Sequence, residues 1–288
     1  MTIGSGLANL DGYPFEVRYS DGSLERARAA ADVAADAYDY FSRLFLGVEP
    51  NIAVIVADKS DWESRQPYGL PFFDDGEGQI CPGIVVMPAG RGDFWVAMGQ
   101  DLREASPHGY KRLLATYPDG AGGLDLQPFF DLVTIHELGH AFEVLGDLRL
   151  PTFWLGEIFA NLCLHAFIAT RQPENLDTLE VLSIVGAQSP LLDARMRAEG
   201  YTTLEDLEAH YTGGEDAMSP LNYVWYQYRW QRLAATMFNV DGEDALVRFW
   251  DYFHATDRSS LGGVTAASLA LLLRTQVSET LGRAIQDW

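Results

Sequence analysis

Residues Phe129 to Gly146 read FFDLVTIHELGHAFEVLG, and this stretch decides how the rest of the chain is understood. Phe129, Phe130, Leu132, Val133, Ile135, Leu138, Ala141, Phe142, Val144 and Leu145 leave it almost without a polar face. A helix apolar on nearly every side is a buried helix, and Gly146 marks its expected end. Two histidines and a glutamate interrupt the run. His136 and His140 are four residues apart, which stacks them on one side of a helix and lets two imidazoles hold one metal ion. Glu137 is rotated by about 100° from His136, near enough to reach a water on the metal without being a ligand. The pattern H-E-x-x-H thus has a mechanism behind it. The competing reading is a pair of core histidines bonded to backbone carbonyls. A third ligand decides between the two.

A third histidine six residues after His140 is absent, since Gly146 stands there. Asp147 and Cys81 offer oxygen and sulfur but sit in no supporting pattern. The better candidate is on the next helix, where Thr152 is the expected cap. There Phe153-Trp154-Leu155-Gly156-Glu157-Ile158-Phe159-Ala160-Asn161 carries one carboxylate into an otherwise apolar turn. An unpaired buried charge is very costly, and a metal ion held by His136 and His140 would satisfy Glu157. Asn161, one turn on, is placed to bond the outer N–H of a ligand histidine. Glu143, on the His136/His140 side, is a candidate for the same kind of support. His165 shares the Glu157 face and reads better as a satisfied core histidine.

With these residues in view, the chain resembles the gluzincins, the zinc metallopeptidases that include thermolysin-like and aminopeptidase-like enzymes. The matching residues are His136-Glu137-Leu138-Gly139-His140, Leu150-Pro151 to Trp154, Glu157 and Ala160-Asn161. The resemblance implies zinc, with His136, His140 and Glu157 as its ligands and Glu137 as the general base. It also implies a zincin-like α+β fold, in which a small mixed-sheet lobe with an edge strand lies over a mainly helical lobe and leaves a cleft. The spacing from His140 to Glu157 is slightly shorter than in the best-known members, and Asn161 stands where some have an acidic residue. In gluzincins a Tyr or His of the helical lobe often stabilises the oxyanion. Tyr223 is the choice here because its distance beyond the glutamate resembles that in aminopeptidase-like members. Tyr226, Tyr228, His210 and Tyr211 are the neighbouring alternatives, and each also reads as a packing aromatic.

Three protein ligands leave zinc one open position for water, and Glu137 would take that water's proton and return it to a leaving amine. The expected activity is therefore zinc-dependent hydrolysis of peptide (amide) bonds, with a peptide or protein as substrate. Two readings stand beside it: a catalytically silent metal-binding scaffold, and a zinc hydrolase acting on a non-peptide bond. An intact Glu137 argues against the scaffold, which has no need of a base.

The composition bounds these readings. The chain has 288 residues, 48% of them hydrophobic, and a formal net charge of −21. Such a surface repels phosphate backbones and anionic lipid, which argues against nucleic-acid and membrane roles. The longest smooth apolar runs, Ile158–Ala169 and Thr265–Leu273, are short for a membrane span. Met-Thr-Ile-Gly-Ser-Gly lacks the features of a signal peptide. With only Cys81 and Cys163 as cysteines, the expectation is a cytoplasmic protein.

Along the chain, Phe15–Tyr19 reads as a strand, followed by an Asp21-Gly22 turn and a helix from Leu24 to Gly47 with Ser23 as cap. Ile52–Ala57 is a second strand, and residues 60–79 read as loop. Ile84–Met87 is a third strand between Pro82 and Pro88, which predicts an edge able to pair with an extended peptide. Residues 101–116 read as helix and 117–127 as connector. Helices follow at 129–146, 153–169, 176–186, 203–211, 220–239, 242–254 and 264–286. This gives an α/β N-terminal lobe over residues 1–127 and a helical lobe over 128–288, together forming one catalytic unit.

Overall fold

Partial burial along Glu16–Tyr19, where only Val17 is fully buried, and complete burial along Ile52–Ala57 distinguish a strand near the margin of the core from one at its centre. The computed structural model describes residues 6–62, 67–75, 83–211, 218–257 and 264–288, and it is a mixed α+β protein with one small five-stranded mixed sheet. The strands are β1 (Ala8–Asn9), β2 (Glu16–Tyr19), β3 (Ile52–Ala57), β4 (Phe72–Asp74) and β5 (Gly83–Pro88), in the order β1-β2-β3-β5-β4. The three central strands, β2, β3 and β5, are parallel, while β1 and β4 are antiparallel to their neighbours. Parallel neighbours need a crossover, and α1 (Leu24–Leu44) supplies it between β2 and β3.

The chain divides into two units, Met1–Gln100 with Tyr117–Asp147, and Asp101–Thr116 with Leu148–Trp288. The first contains the sheet, α1 and α4 (Gln127–Leu145), the helix that carries the H-E-x-x-H pattern. Ala27 and Ala30 of α1 pack on Val56 and Met87 on one face of the sheet; Ile55, Ala57 and Val86 gather Trp62 and Phe72 on the other. On α4, Phe142 meets the rings of Tyr38, Phe41 and Phe45 from the α1 region, and the Thr134 hydroxyl donates to Met87 Sδ at 2.8 Å. Although the sequence reading assigns the α4 segment to the helical lobe, these contacts group α4 with the sheet.

Strand pairing corrects the edge-strand expectation. Along β5, Ile84, Val85 and Val86 pair with Asp74, Phe73 and Phe72 of β4 on one side, and with β3 on the other. The backbone of β5 is therefore unavailable to an added peptide. The outer position belongs to β4, whose three residues lie in a Pro/Gly/Asp-rich stretch that reads as loop.

The second unit is helical. Its elements include α3 (Pro107–Thr116), α5 (Phe153–Arg171), α6 (Leu176–Ala187), α7 (Pro190–Glu199), α8 (Leu204–His210), α9 (Pro220–Asp241), α10 (Asp244–Ala255), α11 (Ala266–Gln276) and α12 (Glu279–Gln286); α2 (Asp93–Ala105) runs through the division. Helix α5 is the only one among the described residues long and apolar enough to cross a membrane, and 83% of its apolar window is buried inside the fold. The whole helix thus exceeds the short apolar runs noted in the sequence, and it serves as a core helix. Thr152 occupies its cap position without a side-chain bond; both carboxylate oxygens of Glu208 accept from the Phe153 N–H instead, at 3.1 Å. Where α6 meets α9, Gly186 lies against the Tyr228 ring so closely that a Cβ would fall inside the ring's van der Waals envelope. The segment read as one helix from 264 to 286 breaks at Val277-Ser278, because the Ser278 hydroxyl caps α12 by accepting from the Leu281 N–H.

Candidate metal centre

The i, i+4 spacing on α4 brings two histidines together at their outer nitrogens. His136 Nε2 and His140 Nε2 lie 3.2 Å apart, with the rings nearly perpendicular. Glu143, one turn after His140 on the same helix, approaches His140 Nδ1 at 2.9 Å through Oε2. A carboxylate accepts, so this contact places the proton on Nδ1 and directs the Nε2 lone pair inward. A tetrahedral ion with nitrogen ligands at about 2.0–2.1 Å requires a nitrogen–nitrogen separation of about 3.3 Å. The histidine pair meets that requirement.

A third donor comes from α5. His136, His140 and Glu157 each offer one ligand atom, and these atoms all lie within 4.8 Å of one another. His136 and Glu157 are buried and His140 is partly so. Two imidazoles and a carboxylate form a donor set that suits zinc and leaves a coordination position open. Glu137 is also buried, at 8% exposure, and is not a member of the donor group.

Around Glu157 the second unit builds its own polar arrangement. Gln227 of α9 donates from Nε2 to Glu157 Oε2 at 2.6 Å and also to the Tyr223 hydroxyl. Asn161 donates from Nδ2 to the Glu157 carbonyl and to Gln227 Oε1, both at 2.8 Å. The amide of Asn161 therefore serves Glu157 and Gln227, where the sequence reading had it support a histidine. The Tyr223 hydroxyl hydrogen-bonds to the Glu157 carboxylate. Burial, followed by that nearby charge, raises the phenol well above its ordinary pKa, so it is a protonated donor at neutral pH.

The remaining candidates make other contacts. Tyr226 donates to the Thr203 carbonyl at 3.0 Å and stacks on Trp288, while Tyr228 is the ring against Gly186. His210 bonds the Asp206 carbonyl through Nδ1 and meets the Tyr201 ring. Tyr211 lies between Phe153 and Tyr223 in an aromatic row. His165 is a core histidine: it is 1% exposed, 3.4 Å from the Gln231 amide nitrogen, and its pKa is lowered to about 4 chiefly by burial. Asp147 is exposed, takes a positive φ of 57° just after α4 and does not join the donor group. Cys81 lies outside the described residues. Sequence reasoning passes over Gln227. The available signal is its place one turn after Tyr223, which puts an amide on the same face of α9.

Comparisons with protein-family models, with curated proteins and with solved structures find no match.

Proposed function

We propose that this chain is a zinc-dependent hydrolase that cleaves amide bonds in peptides or proteins, with His136, His140 and Glu157 holding the ion and Glu137 acting as general base. The observation that carries the proposal is the convergence of the His136 and His140 Nε2 atoms, 3.2 Å apart, in one donor group with the Glu157 carboxylate. When bound, zinc supplies Lewis acidity, lowering the pKa of water towards about 7 and polarising a carbonyl. Glu143 keeps His140 in the tautomer that presents Nε2. Glu137 accepts a proton from the attacking water at its carboxylate and delivers it to the nitrogen of the leaving amine. Tyr223 keeps its proton and, by turning its one O–H away from the Glu157 carboxylate, would supply a donor for the oxyanion that develops on the scissile carbonyl. The likeness of the two short motifs to those of gluzincins supports the same reading.

The test is digestion of a mixed-peptide library by the zinc-loaded chain, with a chelator control and Glu137→Gln alongside. The amide keeps the shape of the glutamate but cannot take the proton, so zinc content should persist while turnover falls by about 10²–10⁴-fold. Stoichiometric zinc without cleavage of any library peptide would overturn the peptidase reading and favour a non-peptide bond or a binding role. Equal turnover by wild type and Glu137→Gln would remove Glu137 as the base.

A further inference from the structure

The hydrogen bonds around Glu157 form a closed circuit. It begins at the Glu157 backbone carbonyl, which can only accept, and this orients the Asn161 amide with its NH₂ towards that oxygen. The same NH₂ donates to Gln227 Oε1, so the Gln227 amide in turn can present only its NH₂ to the Glu157 carboxylate. The circuit thus ends on the side chain of the residue where it began. Amide orientation is normally ambiguous, but here each flip is determined by a partner with a single possible role. We infer that Gln227 is a positioning residue for the metal centre, fixing the rotation of the Glu157 carboxylate through Oε2, and that Asn161 locks Gln227 in the orientation that does so. This inference rests on His136, His140 and Glu157 forming a metal site.

Three features of the arrangement suit this role. Gln227 and Asn161 are neutral donors, so they hold the carboxylate without competing for its charge as a lysine or arginine would. A carboxylate on a helix has freely rotating terminal bonds, and a donor at 2.6 Å removes that freedom before the ion arrives. Gln227 also bonds the Tyr223 hydroxyl, so one amide sets both the acidic ligand and the proposed oxyanion donor.

The experiment measures zinc affinity of the full chain by competition with a chromogenic chelator, together with the visible absorption of the cobalt(II)-loaded protein. Gln227→Met keeps length and bulk but has no donor, and it should weaken zinc binding about 10- to 100-fold and alter the cobalt bands. Asn161→Ala should weaken binding in the same direction. In the Gln227→Met background, Asn161→Ala should add little further loss, because its effect is transmitted through the amide already removed. A purely structural role would give additive losses and an unchanged cobalt spectrum. Wild-type affinity and spectrum in Gln227→Met, with metal binding lost in His136→Ala, would overturn the positioning role and leave the metal centre standing. Failure of the wild type to bind zinc would overturn both. Should Gln227→Met not fold, Asn161→Ala alone carries the test, and unchanged affinity and spectrum there refute the circuit.

Discussion

Replacing Glu143 with leucine isolates one contact of the histidine pair. In the wild type, Glu143 Oε2 accepts from His140 Nδ1 at 2.9 Å, and both side chains are 15% exposed. Leucine removes the acceptor. The imidazole proton can then move to Nε2, where it occupies the lone pair a metal requires. A hydrogen bond to a charged group contributes about 1.5–3 kcal/mol. Water can partly replace the acceptor at this exposure, so the lower part of that range applies, about 1.5–2 kcal/mol. At ~1.4 kcal/mol per decade this corresponds to roughly 10- to 30-fold weaker zinc binding. Glu143→Gln retains a neutral acceptor of about half the strength and should lose less than about tenfold. Chelator competition at constant pH gives these ratios, and thermal melts of the metal-free variants check that the fold is intact. Wild-type zinc affinity in Glu143→Leu, alongside loss of binding in His140→Ala, would refute the reasoning.

Zinc should raise the melting temperature of the wild type, by an amount equivalent to about 2.7 kcal/mol at a hundredfold excess over the dissociation constant, and should leave His136→Ala unmoved; an equal shift in both would place the ion elsewhere. His165 is held neutral in the fold, with its pKa lowered to about 4 from an unfolded value near 6.5. The unfolded chain therefore binds the extra proton first as pH falls, and stability drops by roughly 3 kcal/mol between pH 6.5 and 4. In urea titrations of the metal-free protein, His165→Gln should lack that share of the pH dependence, and a wild-type slope would contradict the assignment. Gly186→Ala should destabilise the chain by about 1–3 kcal/mol through overpacking against Tyr228; a melting temperature equal to that of the wild type would show that the ring yields freely.

Much of the candidate site is legible in the sequence, for a physical reason. His136, His140 and Glu143 lie within two turns of one helix, and helical periodicity alone brings their side chains together. Glu157 is legible as a lone carboxylate in an apolar turn. Gln227 is not, because its bond to Glu157 joins residues 70 positions apart, and nothing local to α9 specifies where its amide points. The fold shows the same division. Strand β3 is read with its observed ends because six apolar residues in a row have one buried solution. Strand β4 escapes because three residues carry no period, and its pairing with β5 is set by tertiary context. Helix α7 begins at Ser189-Pro190, a start signal by itself, but only Leu192 and Met196 of it are buried, which leaves little apolar stripe to mark it.

The contact between Gly186 and Tyr228 ties sequence variation at one helix to geometry at another. Tyr228 follows Gln227 directly on α9, so a displacement of its ring from α6 would be felt at the residue that carries the amide. A larger residue at 186 would turn or lift α9 and swing that amide, although Gly186 itself is not among the donor residues. Among functional variants of this chain, positions 186 and 228 should consequently change in concert or stay fixed. Laboratory evolution of the metal centre should encounter sign epistasis there, where either substitution alone is harmful and the pair is tolerated.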